Sequence, residues 1–140
     1  MKKIINFINE NKNYSVVIIR ITLALVLLWF GINQIFIPDN FLGYVPPWAM
    51  PDHMHMLHFP VAGVNTIILF NGILETVIGI FLLLGYYTRI FAFIAAVHLL
   101  IITVSLGYND VAIRDFGLTM MAVSLIFSGA GSFSLDKKKN

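Results

Sequence analysis

The sequence contains no cysteine. That absence excludes disulfides, thiol redox chemistry, iron–sulfur clusters and cysteine-based zinc sites. Charge is also scarce. Only 11% of the 140 residues are Asp, Glu, Lys or Arg, whereas a soluble domain carries roughly 25%. With 59% hydrophobic residues and a mean hydropathy of +0.86, the chain has too few charges to cover a surface in water. The net charge of +2 is small and the lysines lie mostly at the two ends, so no nucleic-acid partner is expected. There is no internal repeat and no low-complexity linker. The five prolines, Pro38, Pro46, Pro47, Pro51 and Pro60, all fall in one stretch, which argues for an irregular loop with at most a short helix.

What is present is apolar sequence in long runs. Four of them cover about 16–37, 61–84, 89–106 and 113–131. Each approaches the ~20 residues needed to cross a hydrocarbon core of ~30 Å. Backbone in lipid must satisfy its own hydrogen bonds, so the runs are expected to be helices. The first is too long for a signal peptide, is interrupted by Arg20 and is followed by no small-residue cleavage site. The length suits one domain. The expected fold is therefore all-α: an integral membrane four-helix bundle, up-down-up-down, with an extracytoplasmic loop over 38–60.

Basic residues orient it. Lys2, Lys3 and Lys12 precede the first helix, Arg89 follows the Gly85-Tyr86-Tyr87-Thr88 turn, and Lys137, Lys138 and Lys139 close the chain. All three places share one side of such a bundle. The positive-inside rule puts that side, with both termini, in the cytoplasm of a multi-pass protein of the cell membrane.

Glu75 stands out against this background, because a carboxylate inside an apolar helix is costly unless paired, protonated or wetted. Counting rise from the cytoplasmic helix ends places Glu75 about 15 Å deep, His98 about 14 Å and Arg20 about 8 Å. Glu75 and His98 thus share a layer that the long Arg20 side chain is expected to reach, with Asn71 one turn from Glu75 on the same face. A second, outer layer is expected from Asn33, Gln34, Asn65, Arg114 and Asp115, lining an extracytoplasmic cavity. The first loop adds His53, His55 and His58, interleaved with Met50, Met54 and Met56. Imidazole and thioether together suit copper, but the same segment also reads as an interfacial loop resting on headgroups. No resident metal is expected. For Arg20, Glu75 and His98 the plain alternative is a buried ion pair that orients three helices. Gly72, Gly79, Gly129 and Gly131 read as close-packing positions, which also permit a homo-oligomer.

Several of these segments carry a resemblance. Arg114-Asp115-Phe116-Gly117-Leu118, followed by Gly129-Ala130-Gly131-Ser132-Phe133-Ser134-Leu135-Asp136, resembles the closing signature of the DoxX family of small membrane proteins. Arg20 and Trp29-Phe30-Gly31-Ile32-Asn33-Gln34 in helix one fit, as do Gly72-Ile73-Leu74-Glu75-Thr76-Val77-Ile78-Gly79 and the Leu84-Gly85-Tyr86-Tyr87-Thr88-Arg89 turn. The resemblance implies a four-helix membrane protein associated with quinone-linked redox work. Some members resemble subunits of a thiosulfate:quinone oxidoreductase, and others are linked to oxidative-stress complexes or to maturation of redox enzymes. The His/Met loop has no counterpart in that pattern.

Three functions follow as expectations. The first is a subunit or accessory of a membrane oxidoreductase complex. It would hold a quinone or small ligand among the helices, with Glu75 and His98 handling protons and Arg20, Asn33, Gln34, Asn71, Arg114 and Asp115 binding. Having no redox-active side chain for electrons, it would need a protein partner and would not be active alone. The second is a non-catalytic scaffold or assembly factor. The third is metal handling or transport through His53, His55 and His58, although four helices without repeats are few for a transporter.

Overall fold

Glycine and proline divide the chain into four long helices. The computed structural model describes residues 2–46 and 63–138. Helix α1 runs Lys2–Phe36, α2 Val64–Leu84, α3 Thr88–Leu106 and α4 Asp110–Ser128. No strand occurs among the described residues. The parts long and apolar enough to cross a membrane are Tyr14–Phe36 and the whole of α2, α3 and α4. The chain is a multi-pass membrane protein built as a helical bundle.

Helix α1 starts at Lys2, well before the expected residue 16, because residues 2–13 contain neither proline nor glycine to stop it. It ends ahead of Pro38, which opens a short 3-10 segment, Pro38–Tyr44. Helix α2 ends at Gly85, whose φ of 64° only glycine adopts without strain. There Gly85 N–H donates to the Leu82 carbonyl at 3.1 Å and Tyr86 N–H to the Phe81 carbonyl at 3.0 Å, a Schellman closure. Helix α4 is shifted by three residues at each end from the expected 113–131. At its start Asn109 Oδ1 accepts the Ala112 N–H at 2.8 Å. At its end Gly129, at φ 75°, donates its N–H to the Leu125 carbonyl at 2.8 Å.

Neighbouring helices run antiparallel, up-down-up-down, in two closely packed pairs. Helix α1 lies along α2 and α3 along α4, with much sparser contact between the pairs. The α1–α2 approach depends on missing side chains. A Cβ on Gly72 would stand 2.8 Å from both the Gly31 carbonyl oxygen and Gln34 Cβ. Such small-residue contacts let backbones meet where lipid supplies no hydrophobic drive. The glycines at Gly31, Gly72 and Gly79 are thus used inside the chain. Between the pairs sits a core of Leu23, Ala24, Leu27, Ile78, Leu82, Ala92, Ala95, Ala96, Leu99, Ala122 and Leu125. Leu25, Trp29, Phe70, Phe93, Val104 and Phe127 point outward, while Arg20, Gln34, Glu75 and Asp115 are buried. This inverted pattern suits a hydrocarbon solvent.

One end of the bundle is clamped by polar groups. Arg20 Nη1 donates to the carbonyls of Leu82 at 2.8 Å and Leu83 at 3.0 Å, and Nη2 to that of Phe133 at 2.9 Å. The guanidinium so satisfies the last carbonyls of α2, where a cation is favoured. Asp136 accepts the N–H groups of Tyr87 at 2.8 Å and Thr88 at 2.9 Å, capping α3 from the far end of the chain. Leu135 and Asp136 N–H groups donate to the Leu84 and Gly85 carbonyls. The Ser-Leu-Asp ending is therefore a strap across the α2–α3 turn.

Candidate functional site

The polar groups at mid-bundle are brought together by register. Gly31 on Gly72 sets α1 against α2 so that Gln34 lies beside Gly72 and its side chain spans the turn to Glu75. Gln34 Nε2 donates to Glu75 Oε2 at 3.1 Å. Asn71, one turn up α2, donates through Nδ2 to Glu75 Oε1 at 3.0 Å and to Gln34 Oε1 at 2.7 Å. From α3, His98 Nε2 stands 3.6 Å from Glu75 Oε1. That is an ion-pair distance when the imidazole is protonated, and too long for a hydrogen bond. His98 Nε2 is buried and makes no hydrogen bond, so the floor retains an unfilled polar valence. Glu75 itself is 5% exposed, and both its oxygens accept from carboxamides.

A second charged pair comes from α4. Asp115 is buried, and its Oδ1 receives Arg114 Nε at 2.8 Å and Nη2 at 2.7 Å. The Arg114 guanidinium also lies 4.2 Å over the Phe30 ring of α1, a cation–π contact that ties the two helix pairs. Asp115 is within electrostatic reach of Glu75 and His98.

These groups surround one cavity of about 390 Å³. Gln34, Asn71, Glu75, His98, Arg114 and Asp115 supply its polar lining. Phe30, Phe41, Tyr44, Ile67, Ile68 and Leu99 are among its apolar walls. Apolar walls with a few convergent polar groups are the usual make-up of a small-molecule site, and this volume falls within the usual range.

The outcome differs from the expected layers in several respects. Glu75, His98 and Asn71 meet as expected. Gln34, Arg114 and Asp115 border the same cavity rather than forming a separate outer layer. Asn33 lies outside the cavity lining and donates to the Trp29 carbonyl of its own helix at 2.6 Å, while Asn65 is exposed. Arg20 does not reach Glu75. It finds nearer acceptors at the end of α2, level with Leu82, seven residues and about 10 Å away along the helix. His53, His55 and His58 lie outside the described residues. Among the described residues no group of three or more His, Asp or Glu side chains could hold a metal. The Phe30 platform for Arg114 and the Asp136 strap were not anticipated. Phe30 carries no local signal, because its role arises only from the α1–α4 contact.

Fold and site together define a four-helix membrane protein with a polar-floored cavity between two helix pairs. The DoxX family model matches residues 15–107, more than half of the chain, and the chain belongs to the DoxX family. The closing segment from Arg114 to Asp136, which resembles the family's ending, lies outside the matched residues. No curated protein and no solved structure matches the chain.

Proposed function

We propose that this protein is a ligand-binding subunit or accessory of a membrane redox complex, and that it holds the head group of a quinone in the cavity between its helix pairs. The carrying observation is the cavity floor: a buried carboxylate, two carboxamides and an imidazole nitrogen without a hydrogen bond, enclosed by apolar walls. A quinone head needs that combination, since its oxygens require hydrogen-bonding partners and its ring an apolar slot. Glu75 and His98, 3.6 Å apart, would receive or deliver the protons that accompany quinone reduction. Gln34 and Asn71 hold the carboxylate in place. Electrons would have to come from a partner protein, because the chain offers no cysteine and no redox-active group of its own. Orientation follows from charge. Lys2, Lys3, Lys12, Arg89, Lys137 and Lys138 lie at one end, which the positive-inside rule assigns to the cytoplasm of a cell membrane.

The test is purified protein in lipid nanodiscs titrated with decylubiquinone. A ligand at 100 times its dissociation constant stabilises by about 2.7 kcal/mol. Glu75→Gln and Asn71→Leu are expected to weaken that stabilisation at least about tenfold in ligand concentration, a factor worth about 1.4 kcal/mol. Protein that carries no quinone from the membrane and shows no quinone-dependent stabilisation overturns the reading.

One observation favours a second function, a non-catalytic assembly factor. Both Glu75 oxygens already have donors from within the chain, so the cluster is able to serve as packing glue alone. Glu75→Gln would then lower the yield of the partner complex, with no quinone response to lose.

A further inference from the structure

The cavity is partly open, and its described borders differ in character. Between α1 and α4 the Arg114 guanidinium covers Phe30 and is held by Asp115. Away from the cavity, the α2–α3 seam nearer the Gly85 turn is filled by Phe81 stacked on Phe91, with ring centroids 4.0 Å apart, and by Tyr86 stacked on Phe81 at 6.1 Å. Beyond the Glu75–His98 pair the same seam changes character. There, among the described residues, no ring contact, hydrogen bond or ion pair joins α2 to α3. The cavity wall on that stretch includes Phe70 and Ile101. Yet Phe70 is 70% exposed and Ile101 58% exposed, well beyond what an interior lining position shows. Side chains that line a cavity and also face the hydrocarbon form a wall one residue thick.

We propose that this seam is a lateral portal through which a molecule dissolved in the bilayer passes its polar head to the cavity floor. The proposal rests on the reading of the cavity as a ligand site and narrows its ligand class. The occupant carries a hydrogen-bonding head and an apolar tail, and the tail stays between Phe70 and Ile101. Sequence neighbours fix the polarity of the route. Asn71 follows Phe70 directly, and His98 and Ser105 flank Ile101 at three and four residues, on the side of α3 that lines the cavity. A head group passing the two apolar posts therefore meets its partners within one helical turn. Exposed side chains change rotamer in picoseconds to nanoseconds, so Phe70 and Ile101 can part without moving a helix. A route through lipid also spares an apolar tail from crossing water.

The absence of cysteine makes the test clean. Ser105→Cys places a single thiol in the cavity wall. In reconstituted vesicles its labelling by a long-chain alkyl maleimide is compared with labelling by a sulfonated, membrane-impermeant maleimide supplied on both sides. The alkyl reagent is expected to react faster. Adding Ile101→Trp, or Phe70→Trp should the first fail to fold, is expected to slow it about tenfold, the effect of about 1.4 kcal/mol on a barrier. The sulfonated reagent should be unaffected by the added tryptophan. Equal or faster labelling by the sulfonated reagent, or alkyl labelling unchanged by both tryptophans, overturns the portal. Because labelling needs no quinone, failure of quinone binding with a working portal sinks only the choice of ligand. Quinone stabilisation with an indifferent portal sinks only the route.

Discussion

Arg20→Met separates two roles open to a buried arginine in a membrane. The residue is 1% exposed and makes three hydrogen bonds, to Leu82, Leu83 and Phe133, between 2.8 and 3.0 Å. Methionine fills much of the same space, so the loss is chiefly those bonds; the Leu82 carbonyl keeps the Gly85 N–H, while the Leu83 and Phe133 carbonyls lose the guanidinium. Hydrogen bonds between membrane helices average about 0.6 kcal/mol and reach about 1.7, and those involving a charged group in soluble proteins contribute about 1.5–3. On the membrane figure, three of them together amount to about 2–5 kcal/mol. Arg20→Lys keeps the charge but replaces a planar fork with a point donor, so about half of that loss is expected. The assay is reversible unfolding in mixed micelles by increasing SDS, with decylubiquinone absent or present. Arg20 acts at the end of α2, about 10 Å along the helix from Glu75, so the quinone-dependent increment should survive in both variants. The opposite pattern would refute the capping argument: unfolding free energy within about 0.5 kcal/mol of the parent and the quinone increment gone. Arg20 would then belong to the ligand site, as its depth in the sequence suggested.

Two further predictions use the same assay. Gly72→Leu places atoms 2.8 Å from the Gly31 carbonyl and Gln34 Cβ, so the helices must separate, at a cost of about 1–3 kcal/mol. It should also weaken quinone stabilisation by moving Gln34 off Glu75, whereas Gly43→Ala, with open space around it, should be neutral in both readouts. Asp136→Ala removes the acceptors for the Tyr87 and Thr88 N–H groups and should cost about 0.5–2 kcal/mol, Asp136→Asn less. Loss of the strap should also speed proteolysis after Phe133; an unchanged cleavage rate would show that the Leu135 and Asp136 backbone bonds hold the segment unaided.

Helix number and approximate limits were readable because crossing a bilayer demands length and apolarity, both properties of the bare sequence. The helix ends moved by a few residues where Asn109 and Gly129 bring their own capping geometry. Depth was readable too. A fixed rise per residue put Glu75 opposite His98, and the side chains stand 3.6 Å apart. Lateral position was not. Depth says nothing of which helix face a side chain takes or what lies nearer to it. Arg20 had the terminal carbonyls of Leu82 and Leu83 beside it and had no need to climb. Gln34 reads as part of an outer layer when distance is counted along α1 alone. The register that lowers it to Glu75 is set by Gly31 meeting Gly72, a contact between two residues whose shared property is lacking a side chain.

The same geometry bears on whether Glu75 is structural or functional. Pairing alone does not decide, because Gln34 and Asn71 meet the demand of the buried carboxylate in either case. The ligand proposal rests on what lies beside the pair. A cluster evolved only as glue gains by filling adjacent space, since interiors are close-packed and each void forfeits contacts. Here a cavity of about 390 Å³ adjoins the carboxylate, and His98 Nε2 at its edge has no hydrogen bond. Both features carry an energetic penalty that closer packing would remove: lost dispersion at the walls and an unmet polar valence at the floor. A bound head group offsets both at once. On that ground the space beside Glu75, more than its charge, is what points to a ligand.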